Sequence, residues 1–144
     1  MNKLIKLFDS YGVYIAWTIT LAATFGSLYF SEIMNLPPCI LCWYQRICMY
    51  PQLVILTVGI LIQDKKSYLY AFPLSIIGLA ISAYHMLLYY NVITESLSPC
   101  VAGISCTTRF FEWFGFITIP SLSFMALLIL NLIYIGLYLN SKRP

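Results

Sequence analysis

Two pairs of cysteines are the residues in this sequence whose type and spacing could do chemistry. Cys39 and Cys42 form a Cys-x-x-Cys pair, and Cys100 and Cys106 form a second pair with five residues between them. A Cys-x-x-Cys spacing is typical of thiol–disulfide exchange, because two intervening residues let the thiols open and close one small ring. A second pair gives the first a partner with which to exchange. The two pairs together indicate redox chemistry.

The composition indicates a chain that lies in a lipid bilayer. Hydrophobic residues make up 61% of the 144 residues and charged residues only 9%, whereas charged residues make up about 25% of a soluble domain. The net charge of +3 is spread thinly and provides no basic patch for nucleic acid. Four apolar stretches are each long enough, at about 20 residues, to cross a bilayer as a helix. We therefore predict one all-α domain, a four-helix transmembrane bundle over residues 1–144, with helices at 11–30, 40–62, 68–90 and 117–139.

The positions of lysine and arginine predict how these helices are oriented. Basic residues flank the predicted helices on one side, namely Lys3, Lys6, Lys65, Lys66, Lys142 and Arg143. The other side has Arg109 and several glutamates. Because cytoplasmic loops contain the excess of basic residues, both termini are predicted to lie in the cytoplasm. Both cysteine pairs then lie in extracytoplasmic loops, where disulfides persist.

The first cysteine pair is predicted to lie at the start of the second helix. Pro37 and Pro38 cannot continue a helix toward the N-terminus, so they mark its beginning. The free N–H groups there stabilise thiolates on Cys39 and Cys42. Arg46 follows one turn later, and a charge inside a membrane needs a partner or a polar cavity. That partner could be a cysteine thiolate or an oxygen of a bound cofactor; alternatively, the side chain could extend to lipid phosphate.

His85 is the only histidine of the chain. It lies near the outer end of the third helix, so it is predicted at a depth similar to that of Arg46. Two polar residues at one level beside a redox pair could bind and protonate the carbonyl oxygens of a quinone. The alternative is a single hydrogen bond that holds two helices together, and Gln45 could serve either role.

Several other residues are expected to be structural. Cys48 lies deeper in the second helix and is expected to behave as a small apolar residue. Ala22 and Gly26 in the first helix have small-xxx-small spacing, as do Gly78 and Ser82 in the third helix. This spacing predicts close helix packing without chemistry.

The cysteine pairs also leave a non-enzymatic alternative open. Cys100 and Cys106 could form a structural disulfide across a short loop. Cys39 and Cys42 could be half of a zinc site, and four cysteines could hold one zinc ion. Exported thiols oxidise readily, however, and neither loop contains a histidine. This alternative is a tetraspan membrane protein with structural disulfides or a four-cysteine zinc site.

Over nearly its whole length, the sequence resembles the DsbB family of disulfide bond formation proteins. The shared features are Pro-Cys-x-x-Cys-Trp-Tyr-Gln-Arg at 38–46, the histidine of the third helix and the outer cysteine pair. The short chain, the close pair at 100–106 and the stretch Gly-Phe-Ile-Thr-Ile-Pro at 115–120 look most like the Gram-positive BdbC branch. The resemblance implies an enzyme of the bacterial cell membrane. It would reoxidise an extracytoplasmic thioredoxin-fold thiol oxidase, DsbA- or BdbD-like, and pass the electrons to quinone, with menaquinone favoured over ubiquinone.

The resemblance also implies a role for each of the four cysteines. The thiolate of the partner oxidase would attack Cys100 and form a mixed disulfide, and Cys106 would complete that pair. Electrons would then move to the other pair. Cys39 would exchange between the pairs, and Cys42 would face the quinone.

The same match implies that Arg46 and His85 bind the cofactor. Arg46 would stabilise the cysteine thiolate or the quinone oxygen, and His85 would contribute less. Proteobacterial members separate the second cysteine pair widely, with a helix between, and five residues cannot hold that helix. Vitamin K epoxide reductase also joins thiols to quinones in a four-helix bundle, but its quinone-facing pair lies in the last helix. Here the fourth predicted helix has no cysteine.

Overall fold

Long helices make up almost all of the part of the chain that the structure describes. The structure is a computed structural model, and it describes residues 2–35, 37–93 and 118–142, with side chains from residue 10 onward. Cys100 and Cys106 lie outside these ranges. The all-α prediction is confirmed for the described residues. The helices are α1 (Asn2–Leu28), which continues as a π-helical turn (Tyr29–Ile33), α2 (Ile40–Leu61), α3 (Ser67–Tyr89) and α4 (Ile119–Ser141).

Three of the four helices are candidates for crossing a membrane. The apolar stretch at 11–30 predicts only part of α1, because the helix continues toward the N-terminus beyond its apolar residues. Helix α2 has 22 residues, but Gln45, Arg46 and Gln52 interrupt its apolar run. The fourth span therefore stays a prediction. The three segments that are long and apolar enough to cross a membrane are Ser10–Ile33, Ser67–Tyr89 and Ile119–Ser141.

The first three helices are each followed by a residue with left-handed backbone. Asn35, Gln63 and Asn91 have φ angles of 50°, 58° and 55°. After α2, the N–H of Asp64 donates to the carbonyl of Gly59 at 2.8 Å. This is the long bond of a Schellman motif, which closes the last turn of a helix. The chain thus reverses sharply between α2 and α3.

The helices pack as a ring in which α1 contacts α2 and α4, and α3 contacts α2 and α4. Each helix therefore packs mainly against two neighbours, and side chains of α2 and α4 also meet across the centre of the ring. A small cluster of Cys39, Leu41 and Leu88 lies where α2 begins and α3 ends. The main core is formed by Ala16, Met49, Leu56, Tyr68, Ala71, Leu127, Leu130, Ile133, Tyr134 and Leu137.

Buried hydrogen bonds join the helices in the half of the bundle away from the cysteine pair. Asn131 Nδ2 of α4 donates to Ser75 Oγ of α3 at 2.9 Å and to its carbonyl at 3.1 Å. Tyr134 Oη donates to Gln52 Oε1 of α2 at 3.3 Å. Such bonds between helices are each worth about 0.6–2 kcal/mol in a membrane. These bonds therefore hold the ring together far from the cysteines.

The two glycines with small-xxx-small spacing have different surroundings. A Cβ at Gly78 would lie 3.2 Å from Cys48 Cβ and 3.2 Å from a methyl of Leu127, so this glycine allows three helices to approach. A Cβ at Gly26 would meet none of the described residues within 4 Å. The predicted packing role is confirmed for Gly78, and for Gly26 it stays a prediction. Cys48 is buried, as predicted, and is a free thiol.

Candidate active site

The first cysteine pair lies at the start of α2, as the two prolines predict. Cys39 has extended backbone, with φ −68° and ψ 167°, and is the N-cap of the helix. Its Sγ accepts a hydrogen bond from the backbone N–H of Cys42 at 3.4 Å. Pro37 and Pro38 precede it in non-helical conformation. The N–H of Cys42 in the first turn therefore points toward the sulfur of Cys39, where it favours a negative charge.

The two sulfurs of the pair lie 2.8 Å apart. Cys39 is buried and Cys42 is half-buried. The hydrogen bond from Cys42 lowers the pKa of Cys39, which lies just before α2, from 9.0 to about 4; a bond from His85 adds to this effect, and burial opposes it. These contacts therefore favour the thiolate form of Cys39 when the pair is reduced. Thiolates are the reactive form in thiol–disulfide exchange.

His85 contacts this pair from α3. Its Nε2 lies 3.8 Å from Cys39 Sγ, and the side chain is 2% exposed. Its Nδ1 lies 3.1 Å from Gln45 Nε2, and Gln45 Oε1 accepts a hydrogen bond from Ser123 Oγ of α4 at 2.6 Å. The sequence predicts a histidine at a depth similar to that of Arg46, but not its contact with Cys39. Ser123 belongs to no motif, so sequence reasoning missed it.

Arg46 is bound to α1. Its Nε donates to Ser27 Oγ at 2.8 Å, and its Nη2 donates to the backbone carbonyl of Ser27 at 3.0 Å. The guanidinium also lies 5.6 Å from the centroid of the Trp43 ring. The sequence indicates that this charge needs a partner, but it does not identify Ser27. The only available signal is a serine in the outer part of the first predicted helix.

A cavity of about 520 Å³ opens beside the cysteine pair. Its size falls within the range of small-molecule sites. Its polar groups include those of Gln45, Arg46, His85 and Ser123 near the cysteine pair, and most of the remaining lining is apolar. Leu122 and Ile129 line it and are also exposed on the outside of the bundle, so the cavity reaches the lateral surface. Its lining includes Ala22, Ala23, Gly26, Ser27 and Phe30 of α1, Cys42, Gln45, Arg46 and Tyr50 of α2, His85 and Tyr89 of α3, and Pro120, Ser123 and Ala126 of α4.

Three potential metal ligands also meet at this site. Atoms of Cys39, Cys42 and His85 lie within 4.8 Å of one another. A structural zinc site takes four ligands in a tetrahedral arrangement. Cys100 and Cys106, the other members of the predicted four-cysteine site, lie outside the described residues. Whether the protein has the four-cysteine zinc site is therefore tested by measuring the zinc that the purified protein binds.

Four of the six predicted site residues come together in the structure. Cys39 and Cys42 contact each other, His85 contacts Cys39, and Arg46 lines the same cavity. The other two, Cys100 and Cys106, are not described. These features are those of a class of helical membrane proteins with a dithiol beside an apolar cavity.

The comparison with known proteins gives the family within this class. The family described as "Disulfide bond formation protein DsbB" matches residues 11–135, and the chain belongs to this family. The resemblance in the sequence is thereby confirmed. No solved structure matches the chain.

The relatives are disulfide formation proteins of similar length. The chain is 48% identical over 133 residues to "Probable disulfide formation protein C 2" of Bacillus cereus, covering 92% of this chain and 93% of the relative. It is 43% identical over 118 residues to "Disulfide bond formation protein C" of Bacillus subtilis, covering 82% and 86%. It is 40% identical over 123 residues to "Probable disulfide formation protein" of Chlamydia muridarum, covering 85% and 89%.

Proposed function

We propose that this protein is a quinone-dependent protein-disulfide oxidoreductase of the bacterial cell membrane. It reoxidises an extracytoplasmic thioredoxin-fold thiol oxidase and so supports disulfide formation in exported proteins. The observation that supports this function best is the position of Cys39 and Cys42 on the wall of an apolar cavity that reaches the lateral surface. The names of the relatives, all disulfide formation proteins, support it independently.

The cavity fits a quinone ring in shape and chemistry. Its apolar lining suits a lipid-soluble molecule, and the open space at Gly26 leaves room for one between α1 and α4. A bound quinone supplies an acceptor for two electrons and two protons. The similarity to Bacillus relatives favours menaquinone over ubiquinone, as the resemblance to the BdbC branch implies.

The residues around the cavity have separate tasks. Cys42 lines the cavity and delivers the electrons of the reduced pair, while Cys39 exchanges with the outer pair. Arg46 has five N–H groups, of which two bind Ser27, and the others can donate to an oxygen of the ligand. His85 contacts Cys39 of the cysteine pair. Arg46 and Cys42 would hold a quinone in this cavity, where it would accept the electrons of the cysteine pair.

The outer pair receives electrons from the partner oxidase. The thiolate of that oxidase attacks Cys100, the Cys100–Cys106 bond breaks, and Cys106 takes the electron pair. The second thiolate of the partner then releases Cys100 and leaves with a disulfide. The resulting dithiol reduces the Cys39–Cys42 disulfide by the same kind of exchange.

The chain crosses the membrane four times as one domain, with both termini in the cytoplasm and both cysteine pairs on the outer side. The outward face of α2 supports the fourth span. Most of its exposed side chains recur every three, four or seven residues, as expected for one face of a helix. These are Trp43, Ile47, Val54, Val58 and Leu61, and the remaining exposed side chain of α2, Tyr44, lies beside Trp43.

The test is quinone reduction by the purified protein in detergent, with a reduced thioredoxin-fold oxidase as the electron donor. The absorbance of menaquinone and ubiquinone analogues is followed for the wild type, for Cys100→Ala and for the control Cys48→Ala. We expect turnover in the wild type and the control, and none in Cys100→Ala. No turnover in the wild type with either quinone would refute the proposal. One bound zinc per chain would then support the non-enzymatic alternative.

A further inference from the structure

We propose that Gln45 and Ser123 are positioning residues that fix the tautomer of His85, so that its Nε2–H donates to the sulfur of Cys39. The three side chains form a chain of contacts from α4 through α2 to α3. This inference rests on the proposed function, in which Cys39 is a redox thiol. It adds two residues that act on the cysteine pair through His85.

The first link fixes the amide of Gln45. Ser123 Oγ lies 2.6 Å from Gln45 Oε1. That length is typical of an O–H···O bond, whereas N–H···O bonds have a mode of about 2.9–3.0 Å. The hydroxyl therefore donates to the amide oxygen, and the amide NH₂ group points toward His85.

The second contact, between Gln45 and His85, fixes which ring nitrogen of the imidazole has the proton. Gln45 Nε2 lies 3.1 Å from His85 Nδ1. An amide NH₂ group can only donate, so Nδ1 accepts and has no proton. In a neutral imidazole the proton then lies on Nε2.

The third link is the contact with sulfur. Nε2 lies 3.8 Å from Cys39 Sγ, a distance at which an N–H can donate to a thiolate. The opposite tautomer would turn a lone pair toward the sulfur and would repel its negative charge. Gln45 is 6% exposed and His85 2% exposed, so bulk water does not replace these bonds. The orientation of one amide thus decides whether His85 stabilises or destabilises the Cys39 thiolate.

The tautomer can be measured directly, because His85 is the only histidine of the chain. Reduced full-length protein in detergent is labelled with ¹⁵N-histidine, and its two ring nitrogens are assigned by their couplings to the ring carbons. We expect the wild type to have a proton on Nε2 and none on Nδ1. A wild-type ring with its proton on Nδ1, or with protons on both nitrogens, would overturn the proposal.

Two variants test the positioning residues. Gln45→Glu replaces the donor by an acceptor of the same shape, so a proton should appear on Nδ1. Ser123→Ala releases the amide, so the two tautomers should be mixed. Ser82→Ala is the matched control, because Ser82 is also buried but donates to the carbonyl of Leu79. A wild-type spectrum in Ser123→Ala would contradict the proposal, as would equal changes in Ser123→Ala and Ser82→Ala.

The effect on chemistry is read from the redox equilibrium of the Cys39–Cys42 pair with a reference dithiol. The measurement uses a background in which Cys48, Cys100 and Cys106 are alanine. Ser123→Ala should shift the equilibrium about two-fold toward the disulfide, because only part of the molecules then keep the hydrogen bond from Nε2–H to the thiolate. Ser82→Ala should leave it unchanged, and an unchanged value in Ser123→Ala would overturn the proposal. Neither quinone nor partner oxidase is needed, so this result is independent of the turnover assay.

Discussion

Arg46 of α2 is held by Ser27 of α1 through two hydrogen bonds, one to the hydroxyl at 2.8 Å and one to the backbone carbonyl at 3.0 Å. The carbonyl lies just before the π-helical turn Tyr29–Ile33. Such turns are often found at functional sites. The contact fixes the position of the guanidinium on the wall of the cavity, one helical turn from Cys42. The charge is thus directed across the bundle and does not extend along α2 to the lipid surface.

Removal of the charge at Arg46 should weaken the binding of quinone. We expect Arg46→Ala to raise the KM for quinone about 10- to 100-fold, because a hydrogen bond from a charged group is worth about 1.5–3 kcal/mol. Ser27→Ala should raise it less, about three- to ten-fold, because the charge remains but is less well held. Ser31→Ala is the control, since this half-buried serine bonds to Leu28 and Glu32 and not to Arg46. An unchanged KM in Arg46→Ala would exclude a role for the arginine in binding quinone.

Filling the space at Gly26 should block the cavity without damage to the fold. A Cβ at this position lies more than 4 Å from every other described residue that it could contact, so Gly26→Ala should stabilise α1 by about 0.5–1 kcal/mol. Gly26→Phe should abolish quinone reduction, because the ring occupies the space proposed for quinone. Thermal unfolding and quinone turnover are measured on the same samples.

Gly78 provides the contrasting control for these variants. Gly78→Ala places a Cβ at 3.2 Å from Cys48 and Leu127, and overpacking of this kind costs about 1–3 kcal/mol. It should therefore lower the melting temperature and leave the KM for quinone unchanged. If Gly26→Phe turns over normally, the quinone binds elsewhere.

Features that depend on local sequence could be predicted. The two prolines determine where α2 begins, so the sequence predicts that Cys39 and Cys42 lie at its N-terminus. The surroundings of the two small-xxx-small glycines depend instead on which helices are neighbours. Gly78 faces α2 and α4, whereas Gly26 faces the cavity. Their sequence patterns are the same, and only the packing distinguishes them.

The polar contacts of the site could be predicted only in part. Arg46 and His85 are conspicuous in apolar helices, because a charge and a histidine are costly there. Their partners Ser27 and Ser123 are not conspicuous, because single serines are common in membrane helices and cost little. Which serine lies opposite which polar residue depends on the rotation of each helix about its axis. No spacing within one helix contains that information.

Cys42 and Cys48 lie on the same helix but should differ completely in function. Cys42 lines the cavity, whereas Cys48 is buried against Gly78. Cys42→Ala should abolish quinone reduction, because the pair can no longer form a disulfide. Cys48→Ala should be nearly silent in the same absorbance assay. Turnover in Cys42→Ala, or its loss in a folded Cys48→Ala protein, would overturn the assignment.

The stability of the reduced protein should depend on pH, because the pKa of Cys39 is low. The hydrogen bond from Cys42, followed by that from His85, lowers the pKa of Cys39 from 9.0 to about 4. The pKa of Cys39 is thus lower in the folded protein than in the unfolded protein. The thiolate therefore stabilises the fold fully above about pH 9, and this contribution is lost as the pH falls to about 4. The reduced protein should therefore lose stability relative to the oxidised protein across this range. Thermal unfolding of both forms at several pH values measures the difference.

Alkylation of Cys39 tests the same acidity at the level of the single thiol. Its rate with iodoacetamide should be nearly constant from pH 8 to pH 5 and fall only near pH 4, since the thiolate is the nucleophile. An ordinary thiol loses about ten-fold in rate per pH unit below its pKa. In His85→Ala the fall should begin at a higher pH, because one of the donors to the sulfur is missing. A wild-type rate that falls ten-fold per unit from pH 8 would show that Cys39 is an ordinary thiol.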